Sequence, residues 1–378
     1  MADREITRRK FVRDGALAAA ALAAAASAAQ AAGQVGRAAP RTAAGAAVKG
    51  DPKKALNYNA AMEYRPCGKT GLMVSAVAMG GHWKRIEKQI PPGTTGNAIF
   101  GGNLQGADFQ KNRYDTVTKC MEVGINWIDA CTCDEVKAYS RAIQGRRDKM
   151  HLACSWYERE LRNGKYRTEK ALLETLEWGM KEAGLDYVDL WRPTMHEQSV
   201  KHTDGEVEEM MKALRAAKKS GKVRFTGFSS HDRPHIKWML DTYPDVIDGF
   251  CTPYTAKTKE LPTDSVFEAV RKNKVGVFGI KPFGGNSLFD QKAVWGTPEN
   301  KENDEKARLA IRYILGNPAL TAPIPGMVTT QQVENVAAAV AERRKLDVAE
   351  AQKLERAMDE AWARLPEDYQ WLKDFEYV

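Results

Sequence analysis

Residues 151–191 read HLACSWYERELRNGKYRTEKALLETLEWGMKEAGLDYVDLW, and this stretch decides the fold. It opens on a short apolar run, His151–Trp156, and passes through one amphipathic helical period, Lys170–Glu182. Gly184 follows, and then a second apolar run, Tyr187–Trp191. Two short strands joined by one helix form a βαβ unit, whose strands run parallel because the crossover returns the chain to the same end of the sheet. The alternation continues outward on both sides. Upstream stand Val74–Gly80 and Ile125–Ala130; downstream stand Lys222–Ser229, Val246–Pro253, Val275–Pro282 and Thr321–Gly326. Between the later strands lie the helical periods Glu206–Lys219, Ser265–Lys272 and Glu305–Leu315, and Gly124, Gly184, Gly221 and Gly316 stand where helices should end. Eight strand candidates in one α/β chain favour a closed (β/α)8 TIM barrel over an open doubly wound sheet.

The barrel is expected over residues 62–365, with an extra C-terminal helix at Val348–Leu365 and a tail over 366–378. The connection 81–110, rich in Gly, Pro and Asn, separates the first strand from its helix. A βα loop of that length belongs to the active-site face of a barrel, where it serves as a lid or substrate wall.

Composition narrows the function classes. The chain has 378 residues, 43% hydrophobic and 28% charged, enough for a large core and unlike a disordered chain. No strongly apolar run reaches the 18 or so residues of a membrane span; Ala16–Ala32 is mostly alanine. The net charge of +8 is spread along helices with acids interleaved, not gathered into the basic stripe that nucleic acid requires.

The first residues have a different character. Thr7-Arg8-Arg9-Lys10-Phe11 is a twin-arginine run, followed by a weakly hydrophobic alanine stretch and small residues at Ala29-Gln30-Ala31. This is the pattern of a Tat export signal over residues 1–31, with a flexible linker over 32–60. The expected partner during export is the Tat translocase, and the expected location is periplasmic or extracytoplasmic. Tat substrates cross folded, so a cofactor can be loaded first. The six cysteines, at 67, 120, 131, 133, 154 and 251, would meet an oxidising compartment, and their pairing does not follow from sequence.

Short motifs name no chemistry. There is no G-x-G-x-x-G after a strand, Gly96–Gly101 lacks the Lys-Ser/Thr of a P-loop, and His196-Glu197 lacks the second His of a zinc-binding H-E-x-x-H. Gly227-Phe-Ser-Ser-His231 is not a nucleophile elbow.

Longer segments resemble a known family. Tyr64-Arg-Pro-Cys-Gly-Lys-Thr-Gly-Leu-Met-Val-Ser75, leading into Val77-Ala-Met-Gly-Gly81, is similar to the N-terminal β-hairpin and first strand of aldo/keto reductases. Gly124-Ile-Asn-Trp-Ile-Asp129-Ala resembles that family's second strand, Gly145-Arg-Arg-Asp-Lys149 the segment before its third, and Lys222–Ser230 its fifth. Asn317-Pro-Ala through Pro325-Gly-Met, then Thr330-Gln-Gln-Val-Glu-Asn335, resembles its last strand and cofactor helix. The resemblance spans residues 62–340 and implies a metal-free, NADP(H)-dependent oxidoreductase acting on aldehydes or ketones and the corresponding alcohols; the expected partner is a small-molecule carbonyl or sugar-like substrate. Its catalysis uses an Asp, a Tyr, a Lys and a His at the ends of consecutive strands.

The catalytic positions depart from that pattern. Asp129 matches the Asp, but Asp134 stands in place of the Tyr, Ser155 in place of the Lys and Thr194 in place of the His. Asp134 makes a poor acid, because an unperturbed Asp has a pKa near 3.9. His196, two residues past Thr194, is the expected proton donor, with Tyr157 as a further candidate. The cofactor positions are better kept. The resemblance assigns Ser229 and Ser230 to the carboxamide, Tyr254 to stacking on the nicotinamide, and Lys281 and Gly284 to the pyrophosphate. It assigns Gly326, Thr330, Gln332 and Asn335 to the adenosine, beside a helix N-terminus.

Two other readings stay open. One is a non-catalytic exported barrel that binds a ligand or partner. The other is a metal-dependent lyase or isomerase using Cys131, Cys133, His82 and His196 at the barrel mouth, where sulfur and imidazole suit zinc, iron or copper.

Overall fold

The computed structural model describes residues 50–81, 106–342 and 344–377. The expected export signal, most of the linker, most of the 81–110 loop and His82 lie outside the described residues.

Strands β1 (Tyr64–Pro66) and β2 (Met73–Ser75) form the expected antiparallel hairpin, with Tyr64 opposite Ser75. Eight parallel strands follow: β3 (Met79–Gly80), β4 (Trp127–Ala130), β5 (His151–Cys154), β6 (Val188–Trp191), β7 (Val223–Ser229), β8 (Gly249–Pro253), β9 (Gly276–Ile280) and β10 (Ala322–Ile324). They are ordered sequentially from β3 to β10. The ring closes where Ala78 N–H bonds Pro323 O at 3.0 Å and Gly80 N–H bonds Pro325 O at 2.8 Å. The fold is therefore a (β/α)8 barrel. The expected strand Val74–Gly80 is two pieces, because Ser75 leaves the hairpin to bond Asn126 through its N–H (2.9 Å) and Val77 through its hydroxyl (2.7 Å).

Helices α1 (Ala107–Glu122), α2 (Cys133–Ala142), α3 (Glu169–Ala183), α4 (Asp204–Lys219) and α5 (Arg233–Thr242) pack outside the strands. The set continues with α6 (Val266–Asn273), α7 (Pro298–Leu315), α8 (Thr330–Ala341) and the additional α9 (Val348–Ala363). Local chemistry sets their ends. Thr203 and Glu206 cap α4 reciprocally, and Asp347 and Glu350 do the same for α9. Gly184 ends α3 at φ 63°, whereas Gly316 ends α7 with right-handed φ and needs no glycine-specific turn. The last carbonyls of α7 and its following loop are satisfied by buried Arg65, which donates to Leu315 O (2.7 Å), Asn317 O (3.0 Å) and Leu320 O (2.8 Å).

Two boundaries differ from the sequence reading. Chain ahead of Met62 already packs on the barrel, since Asn57 Nδ2 donates to Lys149 O (2.7 Å) and Asn59 Nδ2 to Glu122 O (3.1 Å). The segment read as a tail runs as a 3-10 helix, Glu367–Phe375, fixed by Lys259 N–H to Glu376 O (2.7 Å) and Arg233 Nη1 to Tyr377 O (3.2 Å). Among the described residues no helix is long and apolar enough to cross a membrane.

Strand alternation divides the core. Val117, Leu176, Val207 and their neighbours fill the layer between sheet and helices, while Trp127, Ala153, Leu190, Cys251, Phe278, Ala322 and Ile324 form a separate interior cluster. Trp127 stacks on Phe278 at 4.5 Å inside the ring. A residue two positions beyond an interior one again points inward, at the C-terminal mouth. Asp129, Ser155, Arg192 and Gly326 hold those places.

The interior also sets a steric limit at Gly227, where a Cβ would lie 1.9 Å from Gly249 O. Gly227→Ala should cost about 1–3 kcal/mol or more, read as a lowered Tm or loss of soluble protein. Gly164→Ala, at a site with open space around it, should leave stability within about 0.5 kcal/mol of wild type, read as a nearly unchanged Tm. Equal Tm values for the two variants would contradict the packing described.

Candidate active site

A cavity of about 350 Å3 opens at the C-terminal ends of the strands. Asp129 of β4 and Arg192, one residue past β6, lie on its floor. Arg192 Nε donates to Asp129 Oδ2 at 2.6 Å and Nη2 donates to Oδ1, a two-pronged contact; Nη2 also reaches Ala130 O at 3.2 Å. The Cys251 thiol donates to Asp129 Oδ2 at 3.6 Å. Burial pushes the Asp129 carboxyl up while Arg192 pulls it down; the guanidinium itself is held charged by the carboxylate, so the pair is ionic. Nε and Nη2 are engaged, and among the described residues the Nη1 amino group has no hydrogen-bond partner.

Strand β5 lies between β4 and β6, and the inward positions there are Ala153 and, one residue past the strand, Ser155. Small side chains on the middle strand leave room for Arg192 to reach across to Asp129. The cation on the cavity floor therefore comes from the end of the fourth barrel strand.

Ser155 and Thr194 share a hydrogen bond of 2.9 Å beside the pair. Behind them Glu160 is wholly buried and accepts N–H bonds from Trp156 (2.9 Å), the Trp191 indole (3.2 Å) and Thr194 (2.7 Å). Burial pushes its carboxyl up to about 7 in spite of these donors. Glu135 of α2 receives the Cys131 N–H at 2.8 Å and reaches the cavity. Tyr157 also lines it; burial raises its phenol, so the hydroxyl keeps its proton at neutral pH. Toward the rim His231 stacks on Trp371 at 4.2 Å, and burial together with Lys281, Arg162 and Arg233 holds the imidazole neutral.

The other end of the cavity lies against α8. Lys281, at φ 57°, places Nζ 5.3 Å from the Trp371 ring and 6.0 Å from Tyr369. Gln332 Oε1 accepts the Val328 N–H at 2.7 Å, and Asn335 is fixed by Arg308 Nη1 (2.6 Å) and the Asp304 carbonyl (3.0 Å).

Of the residues expected at the site, Asp129, Ser229, Lys281, Gly326, Gln332 and Asn335 line the cavity. The others are placed elsewhere, each for a local reason. Asp134 sits at the start of α2, which begins at Cys133 with Thr132 as its cap, so that Glu135 comes round to the cavity instead. Ser155 stands behind Thr194. His196 is taken up by its own loop: Nδ1 accepts the Gln198 N–H (2.9 Å), and its N–H bonds His202 Nε2 (3.1 Å). Ser230 turns to Ser199 (2.8 Å) and the Asp232 N–H (3.1 Å). Tyr254 falls on the outward parity of β8, where it meets Phe267 edge-on at 6.0 Å and receives Asn317 Nδ2 at 3.2 Å. Gly284, at φ 55°, lies against Trp362, and Thr330 bonds its neighbour Gln331 at 3.2 Å.

Arg192, Glu135, Tyr369 and Trp371 were not anticipated. Leu190 on the interior face was the available signal for Arg192. The two aromatic residues carried none, because they come from the segment read as a tail.

Cys131 borders the cavity, and among the described residues Cys67, Cys120, Cys133, Cys154 and Cys251 form no disulfide. Among the described residues no three His, Cys, Asp or Glu side chains converge as a metal site.

A family model described as "Aldo/keto reductase family" matches residues 96–359. L-galactose dehydrogenase of Arabidopsis thaliana is 27% identical over 313 residues, covering 75% of this chain and 90% of that protein. 6-dehydroglucose reductase of Agrobacterium fabrum is 24% identical over 264 residues, covering 67% and 76%. An aldo-keto reductase from Klebsiella pneumoniae, solved in complex with NADPH, shares the fold with a TM-score of 0.56 at 15% identity, covering 78% of this chain and 94% of that one.

Glu160 yields a pH prediction. Its carboxyl is raised from an unfolded value near 4.3, so the folded state binds the proton more tightly. The stability this contributes is full below the unfolded value and lost as pH rises through about 7. The Tm of wild type should therefore fall relative to Glu160→Gln between about pH 5 and pH 8. A Tm difference that stays constant over that window would contradict it.

Proposed function

The chain belongs to the aldo/keto reductase family and is an oxidoreductase, and from that premise we propose that it transfers hydride between a nicotinamide dinucleotide and a sugar-like carbonyl or alcohol. The observation that carries this reading is the Asp129–Arg192 pair on the cavity floor, a fixed buried cation beside the place where a carbonyl oxygen would sit. The dinucleotide habitual in this family is NADP(H). Its nicotinamide, riboses and pyrophosphate find fitting groups in Ser229, Lys281, Gly326 and the N-terminus of α8. When bound, the dinucleotide supplies or accepts the hydride.

The remaining work falls to the chain's own side chains. The Arg192 Nη1 amino group donates hydrogen bonds to the substrate oxygen as negative charge develops there, in a desolvated site where such bonds are strong. Asp129 keeps the guanidinium in place. Tyr157 gives its phenolic proton to that oxygen in reduction and takes it back in oxidation, replacing His196 in that role. The Trp371 ring and the polar groups of Thr194 and Glu197 suit a hydroxylated substrate with one apolar face. Two relatives named for sugar substrates support the same class.

The twin-arginine run supports export of the folded barrel through the Tat translocase to an extracytoplasmic location, with the dinucleotide loaded beforehand.

Tyr157→Phe should lower kcat for a sugar substrate by about 10²–10⁴ while dinucleotide affinity stays within about twofold. His196→Ala should leave kcat within about twofold. The opposite order of effects would return the proton-donor role to His196.

A further inference from the structure

NADP(H) differs from NAD(H) only by a phosphate on the 2′ oxygen of the adenosine ribose. That group carries about −1.5 to −2 charges near neutrality and three strong acceptor oxygens, and it needs cationic or N–H donors. A free 2′-hydroxyl instead donates well to a carboxylate.

The end of the cavity where the adenosine would lie is walled by Gln331, Gln332 and Asn335 of α8 and by Asn300, Asn303 and Asp304 of α7. Among the described residues, the basic side chains that line the cavity are Arg162, Arg192 and Lys281, all engaged elsewhere. Arg192 is bound to Asp129 on the floor. Arg162 pairs with Glu197 at 2.5 Å, and Lys281 leans over Trp371 and Tyr369. Arg308 lies one helical turn beyond Asp304, but its guanidinium is held by Asn335 Oδ1 (2.6 Å) and Glu342 Oε1 (3.1 Å), and it does not line the cavity. The wall thus offers amides and one carboxylate where a phosphate would need a cation.

Resting on the dinucleotide reading above, we infer that this site selects NAD(H) over NADP(H), with Asp304 as the residue that discriminates. The Asp304 carboxylate receives the ribose hydroxyls and repels a 2′-phosphate. This departs from the family's habit while keeping the rest of the dinucleotide site intact.

The test is a binding titration of the purified protein with NADH and with NADPH at equal ionic strength, followed through the fluorescence of Trp295 and Trp371, which line the cavity. NADH should bind about tenfold or more tighter. Asp304→Asn, nearly isosteric at a half-buried position, should narrow that ratio, and Asp304→Arg should reverse it. Equal or tighter NADPH binding by wild type, or an unchanged ratio in Asp304→Asn, would overturn the inference and leave the dinucleotide site standing. Failure of both dinucleotides to bind would overturn the proposed function and this inference with it.

Discussion

Two opposite charges buried on the floor of the barrel constrain everything built above them. Asp129 and Arg192 have almost no contact with solvent, and removing one partner of such a pair costs about 3–5 kcal/mol because the other is left uncompensated. Each therefore requires the other, and the strands between them must leave the path open. Ala153 on β5 and Ser155 just past its end meet that requirement. A long side chain at position 155 would occupy the route Arg192 takes. Small residues on the path and an arginine at the end of the next strand are thus two sides of one packing arrangement.

The sequence conveyed the barrel because its strands and helices follow local rules. Apolar runs and helical periods placed most elements within a few residues of where they fold; the exceptions include α7, which starts at Pro298 and not Glu305, and the Val74–Gly80 break, which depends on Asn126 across the sheet. The site was legible where the family resemblance assigns Asp129, Ser229, Lys281, Gly326, Gln332 and Asn335, all of which line the cavity. Strand parity carries a further signal, since interior Leu190 points to Arg192, two residues ahead of the position where the family pattern expects a histidine. Parity from Cys251 likewise turns Tyr254 outward. His196 lies in a loop, where no periodicity fixes direction and hydrogen bonds to Gln198 and His202 decide instead.

The rim of the cavity depends on chain far apart in sequence. Trp371 and Tyr369 reach it from the C-terminal 3-10 helix, and Lys281 lies beneath them. That segment is held by backbone bonds at Lys259 and by Arg233. Such anchoring is invisible to composition, which sees a short polar and aromatic tail. It also stacks the His231 ring against an indole in a neutral state, so the rim offers flat apolar surface beside the polar floor. A hydroxylated ring has the same two-sided character.

The most direct test of the account is a double-mutant cycle on the single-turnover rate of hydride transfer, using wild type, Asp129→Asn, Arg192→Met and the double variant, each saturated with dinucleotide. If the pair acts as one unit, each single variant loses about 10²-fold or more and the double variant is no slower than either. Losses that multiply in the double variant, or rates that match wild type throughout, would contradict the claim that this ion pair is the working centre of the site.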